Sequence, residues 1–233
     1  MIRHSRARRA LRASAKASAA SSARTSSAPP PSSDVARRIR TSREAAGVAD
    51  ALSPTGADHM EAPHDPLYAE FHPQGHPTRP FGLIEPLDPL DLDARRMRAF
   101  FETQKVWSSY NSVGMCDFVG APLNGLEFQP MLDYINAVTG WNMSLYELMK
   151  VGERNNTLAR MFNVREGFTP DDDVLPQQMH EGIGNGALKE QRIEPAQFLA
   201  ARRTYYEMAG WDPNTGTPTP AKLAELGLEE VMR

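Results

Sequence analysis

The sequence predicts an all-α fold, and three observations carry that prediction. From Asp91 onward, apolar residues recur at helical spacing over stretches of 10 or more residues. Helix start and stop signals punctuate those stretches. No apolar/polar alternation of comparable length competes with them as a strand, and no internal repeat is detectable.

Taken in order, Met97, Phe100, Phe101 and Trp107 fall on one face of a first helix. Phe128, Met131, Leu132, Ile135 and Val138 repeat the pattern in a second, which Gly140 ends. Ser144 and Glu147 have the spacing of a capping box and open a third helix. Its Leu145, Leu148, Met149, Leu158, Met161 and Phe162 line a core, and its opposite face is charged. Arg154, Arg160 and Arg165 read as that charged face, either solvated or packed on further polypeptide. Asp171-Asp172-Asp173, behind Thr169-Pro170, reads as a polar turn. Pro195 starts a fourth helix through Phe198, Leu199, Tyr205 and Met208 to Gly210. Thr219-Pro220 opens a short last one that ends at Gly227. Trp141 and Trp211 follow helix-ending glycines and read as core or interface anchors.

The remainder of the chain is different in kind. Residues 1–50 hold eleven Lys/Arg against Asp34, Glu44 and Asp50, a net +8; the rest holds 15 Lys/Arg against 26 Asp/Glu, a net −11. Met1 to Ser33 is Arg, Ala and Ser with a Pro29-Pro30-Pro31 run, too poor in apolar side chains to offset the entropy of ordering. The expectation is a disordered basic tail over 1–52; a transit segment and a translation artefact upstream of the true reading frame are the competing readings. Nucleic-acid binding is disfavoured, because no aromatics interleave with the arginines to stack on bases. Residues 53–91 are rich in Pro, Gly and His and read as a long irregular loop, and residues 92–233 as the helical domain. No apolar run approaches the roughly 20 residues of a membrane span. A single cysteine makes no internal disulfide, so a reducing, cytoplasmic setting is the expectation, and any redox chemistry requires a cofactor.

Two segments could carry chemistry. Asn111-Ser112-Val113-Gly114-Met115-Cys116 is a polar, glycine-containing turn that ends in the lone thiol. A lone cysteine is more often a small buried hydrophobe, whereas a thiolate at such a turn suits an iron-sulfur cluster, so composition leaves both readings open. Ser53-Pro54-Thr55-Gly56-Ala57-Asp58-His59 is the second segment. A loop histidine has an unperturbed pKa of about 6.5 and exchanges protons near neutrality, although a solvated histidine looks the same in sequence. His59, His64, His72 and His76 could together hold zinc, but their spacings match no familiar zinc pattern.

The order of these segments resembles the C-terminal part of the aldehyde ferredoxin oxidoreductase family. Pro54-Thr55-Gly56-Ala57-Asp58-His59 and Gly114-Met115-Cys116 are followed by Gly140-Trp141, Gly152-Glu153-Arg154 and Arg160-Met161-Phe162-Asn163. Gly167, Asp173-Val174-Leu175-Pro176, Tyr205-Tyr206 with Gly210-Trp211, and Lys222-Leu223 with Glu225-Leu226-Gly227 complete the series, from about Ser53 to Arg233.

The resemblance implies an irregular helical C-terminal domain and part of an enzyme that oxidises aldehydes to carboxylic acids at a tungsten-bis(pterin) centre. Electrons pass through a 4Fe-4S cluster to ferredoxin. Molybdenum is an alternative to tungsten, since the metal's ligands come from the pterin. Cys116 matches the fourth cluster ligand, in an Asp-x-x-Gly-Leu-Cys motif that contacts a pterin. Gly114 matches the motif glycine, Met115 stands in place of Leu, and Asn111 stands in place of Asp, an amide without the charge. His59 matches the active-site histidine that serves the substrate carbonyl. The family's N-terminal pterin-binding domain, its three other cluster cysteines and its active-site carboxylate precede the region of resemblance and are not visible in residues 1–52. The expected partners are therefore those missing domains, ferredoxin and a small aldehyde. The alternative is a non-catalytic helical remnant or interaction module derived from the same family.

Overall fold

A computed structural model of the protein describes residues 45–56, 60–61, 79–83, 85–88, 91–119, 128–181 and 192–232. Six α-helices stand among them: α1 (Ala45–Leu52), α2 (Ala94–Val113), α3 (Phe128–Thr139), α4 (Leu145–Arg165), α5 (Pro195–Ala209) and α6 (Pro220–Glu225). Short 3-10 turns occupy Arg79–Phe81, Gln177–Met179 and Glu229–Met232. No strand occurs among the described residues, and an isolated antiparallel bridge joins Trp211 to Pro218. The all-α expectation holds.

Helix α2 is the spine. Asp93 caps it by accepting from the Arg96 N–H at 2.9 Å, and α4 and α5 pack along its length. The approach of α4 is set by Gly152, where an added Cβ would lie 1.8 Å from the Lys105 carbonyl oxygen. Only a glycine permits the two backbones to meet there. Asn155 Nδ2 donates to Ser108 Oγ at 2.8 Å one turn further along the same contact. Helix α4 begins with the expected capping box: Ser144 and Glu147 each bond the other's backbone N–H.

Against α5, Phe100 stacks on Tyr205 at a centroid distance of 5.1 Å, and the Tyr205 hydroxyl donates to Gln104 Oε1. Both rings belong to the larger core cluster, with Met97, Phe198, Tyr206 and Trp211. Val48, Ala49 and Leu52 of α1 complete that cluster, and Gly47 sits close to Met179, Leu175 and Ile193.

That placement corrects the expected extent of the disordered tail. The basic character of residues 1–43 obscures a short apolar stripe in Ala45–Leu52 that pairs with α5 and pays its ordering entropy by burial. Residues before Ala45 lie outside the described part.

Other expectations about packing change as well. Arg160 does not share a face with Arg154 and Arg165. At about 100° per residue, Arg165 returns to the azimuth of Arg154, whereas Arg160 lies about 120° away. It points inward and pairs with Asp173 at 2.6 Å, donates to the Gly216 carbonyl at 2.8 Å, and lies against the rings of Tyr206 and Trp211. Asp173, the last residue of the expected polar turn, is thus a buried counter-ion that also accepts from the Tyr206 hydroxyl.

Leu158 and Phe162 are exposed rather than core, as are Val138 and Trp141. Val138 continues the α3 stripe in register, two turns beyond Met131, but no described element covers the stripe at that end. Trp211 is buried as expected.

Candidate cofactor-binding site

The thiol-bearing turn is built by the C-terminus of α2. Asn111, Ser112 and Val113 form the last turn of the helix rather than a loop after it. Gly114 reverses the chain in the left-handed region at φ +74°, which carries little penalty only for glycine. Its N–H bonds the Asn111 carbonyl at 3.2 Å and the Met115 N–H bonds the Tyr110 carbonyl at 3.0 Å, the paired closure of a Schellman motif. The Gly114 N–H is therefore engaged within the cap. What the glycine leaves bare is its Cα: nothing lies within 4 Å of the position a Cβ would take.

The three residues after the glycine alternate in direction. Met115 is half-buried against the second core cluster, formed by Val106, Trp107 and Tyr110 of α2, Phe128, Met131 and Leu132 of α3, and Leu148 of α4. Cys116 is exposed and free. Asp117 is buried again. Burial first, and the nearby Asp117 carboxylate second, push the Tyr110 hydroxyl above its ordinary pKa, so that it stays a neutral phenol. The Val119 N–H bonds the Cys116 carbonyl at 3.0 Å and closes the turn. Two inward anchors thus hold an outward thiol. Asn111, also exposed, stands on the helix end beside it.

The second segment is described on both flanks of His59, while Ala57, Asp58 and His59 themselves lie outside the described residues. On one flank, Ser53 continues α1 through its N–H to the Ala49 carbonyl at 2.8 Å, and Asn163 Nδ2 of α4 donates to the Pro54 carbonyl at 2.9 Å. Thr55 Oγ1 donates to Glu61 Oε1 at 3.1 Å and ties the two flanks together. On the other flank, Met60 packs on the same core cluster as Met115. The structure therefore brings the residue after His59 and the residue before Cys116 onto one apolar support. Sequence spacing gave no sign of this convergence. The role of Asn163 was likewise missed; it is visible only once α4 is placed beside the turn at Pro54.

Among the described residues no group of three or more His, Cys, Asp or Glu side chains could hold a metal ion. His180, the one histidine described, holds its Nδ1 2.7 Å from the Ile193 carbonyl and serves as a local tie. The four histidines of the zinc alternative lie outside the described residues. No helix among the described residues is long and apolar enough to cross a membrane.

Residues 36–228 match the family model for "Aldehyde ferredoxin oxidoreductase, domains 2 & 3". A tungsten-containing aldehyde ferredoxin oxidoreductase of Pyrococcus horikoshii is 30% identical over 195 residues, which cover 76% of this chain and 31% of that protein. The protein of the same description from Pyrococcus furiosus is 29% identical over 189 residues, covering 73% of this chain and 30% of its own length. The chain thus spans less than a third of the length of these curated relatives. Among solved structures, the active site complex BamBC of benzoyl coenzyme A reductase with 1,5 dienoyl-CoA aligns at a TM-score of 0.48 and 24% identity, over 58% of this chain and 19% of that one.

Proposed function

The chain belongs to the aldehyde ferredoxin oxidoreductase family, and from that premise we propose that it supplies the C-terminal part of an enzyme oxidising aldehydes to carboxylic acids, with ferredoxin as electron acceptor. The observation that carries this reading is the outward thiol of Cys116, held between half-buried Met115 and buried Asp117 at the capped end of α2. An exposed, free thiol on a rigid turn is what a cluster ligand shared with other polypeptide requires. The described residues fit one edge of such a site and not the whole, because Cys116 has no companion ligands among them.

When bound, the tungsten-bis(pterin) centre and the 4Fe-4S cluster supply two-electron oxidation and one-electron transfer. This chain's residues position and tune them. Cys116 contributes its thiolate to the cluster. Asn111 offers an amide that both donates and accepts hydrogen bonds toward the pterin, without the charge of the carboxylate usual there. Gly114 leaves its Cα face clear for that approach, and Met115 holds the turn to the core. His59 hydrogen-bonds or protonates the aldehyde oxygen as negative charge develops on it. Asn163 anchors Pro54 and the core cluster holds Met60, the described residues on the two flanks of the segment that carries that histidine. The remaining cluster cysteines and the first pterin-binding domain come from polypeptide that this chain does not match in its relatives. A reducing cytoplasmic setting suits a cysteine kept free.

The test is purification of the tagged full chain, with whatever polypeptide accompanies it, from its own host under anaerobic conditions. Tungsten and iron contents and aldehyde-dependent dye reduction are then measured. Metal and activity travelling with the chain are expected. A folded chain that brings neither would leave the non-catalytic helical remnant as its description.

A further inference from the structure

The turn that presents Cys116 carries one formal charge, and that charge lies inside. Between Lys105 and Glu127 the sequence holds a single Asp, Glu, Lys or Arg, which is Asp117. It follows the thiol directly and is only 7% exposed, whereas Cys116 is open to solvent. The second core cluster, on which Met115 packs, is made of apolar and aromatic side chains alone. Asp117 acts on that cluster: after burial itself, its negative charge is what raises the Tyr110 hydroxyl above its ordinary pKa. Burying a carboxylate carries a large desolvation cost. Closing the turn does not require one, because backbone bonds from the Gly114, Met115 and Val119 N–H groups already close it. The charge therefore calls for a role besides closure.

Distance and dielectric decide how far such a charge is felt. Successive Cα atoms lie about 3.8 Å apart, so groups on neighbouring side chains that point to opposite sides are separated by on the order of 10 Å. At that separation and an effective dielectric of about 20, one unit charge changes an equilibrium involving another roughly tenfold or more. We infer that the buried Asp117 carboxylate lowers the midpoint potential of the iron-sulfur cluster ligated by Cys116 and so makes the reduced cluster a stronger electron donor. This inference rests on the proposed function for the presence of the cluster. The couple is a one-electron one: an electron arrives and leaves, no bond is made or broken, and the nearby negative charge disfavours the reduced form, which is the more negative. Net charge and burial are among the levers by which a protein sets such potentials. Asp117 is a tuning residue, since Cys116 is the residue that meets the metal.

The tagged full chain and its Asp117→Asn variant are isolated anaerobically from the native host with their accompanying polypeptide. The cluster is followed by electron paramagnetic resonance through a potentiometric titration. The expected result is a tenfold shift toward the reduced form at fixed potential, an upward midpoint shift of about 59 mV for one electron. Asp117→Glu keeps the charge and is expected to keep the parent's midpoint. Asp133→Asn, which removes an exposed carboxylate on α3, is expected to keep it as well. Asp117→Ser is carried in parallel as a second variant without the charge. A carboxylate that only pins the turn would alter the melting temperature and leave the midpoint in place. An unmoved or lowered midpoint in a folded, cluster-bearing Asp117→Asn protein therefore overturns the inference, as does an equal shift in Asp133→Asn. Failure of both charge-free variants to fold, with Asp117→Glu folded, would assign the charge to folding and overturn it too. Absence of any cluster signal in the parent removes the proposed function and this inference with it, whereas a cluster with an unmoved midpoint removes the inference alone.

Discussion

Replacing Gly152 by Ala tests how closely the site-bearing helix depends on its neighbour. The new Cβ would start 1.8 Å from the Lys105 carbonyl oxygen, 2.8 Å from its carbon and 3.0 Å from the Ser109 nitrogen. All three are backbone atoms, so no side chain can swing aside. Reaching ordinary contact at 3.4 Å requires α2 and α4 to part locally by about 1.6 Å. A radial gap of 0.5–1 Å already forfeits roughly a quarter to a half of a dispersion contact. Overpacking of this kind costs about 1–3 kcal/mol and occasionally more, and the severity of the clash places Gly152→Ala at the upper end. Helix propensity acts the other way, favouring Ala by about 1 kcal/mol. Packing wins, with a net loss of about 2 kcal/mol or more. With a urea slope of about 2 kcal/mol/M, the midpoint of unfolding should fall by about 1 M. A variant as stable as the parent, or more stable, would show that propensity dominates and that the α2–α4 approach is not tight.

Asp173→Asn should destabilise by about 3 kcal/mol in the same assay, because it leaves the buried Arg160 guanidinium without its counter-ion; an unchanged midpoint contradicts that buried pair. The Glu225 carboxyl is held down to about 2 by hydrogen bonds from Lys150 and Lys222. Its folded pKa lies below the unfolded value of 4.5, so its contribution is fully present above pH 4.5 and is lost as pH falls toward 2. The carboxylate is 44% exposed, so the slope is shallow, and Glu225→Gln should flatten it in a melting series across that window. Gly114→Ala should cost about 1 kcal/mol, since the left-handed backbone is strained for alanine although space around it is open. A neutral outcome in thermal melting would place the cap in another conformation.

The helices were legible because their signals are local. The Ser144–Glu147 box, Pro195 and the glycines at 140 and 210 act through neighbours within a few residues, and their effect does not depend on distant packing. The illegible features are those decided by partners far away in sequence. Arg160 is identical in type to Arg154, and only the placement of Asp173, Tyr206 and Gly216 makes it a core residue. Val48 and Leu52 sit beside a strongly basic stretch whose composition masks them, and α5 gives them their burial. Leu158 and Phe162 were assigned to a core by their type, and they lie on the surface; of the two readings of Trp141, core or interface anchor, its exposure removes the first. For the site, the glycine and thiol at the end of α2 were readable from residue types and order, but the anchoring through Met115 and Asp117 was not.

The central claim is that Cys116 is a cluster ligand, and electron paramagnetic resonance of the reduced protein tests it most directly. The tagged chain and its Cys116→Ala variant are isolated from the native host with their accompanying polypeptide. The side chain is exposed and free, so the variant should fold and melt as the parent does. The account predicts that the parent shows a 4Fe-4S signal and that the variant loses it. The same signal, undiminished in the variant, would contradict the account.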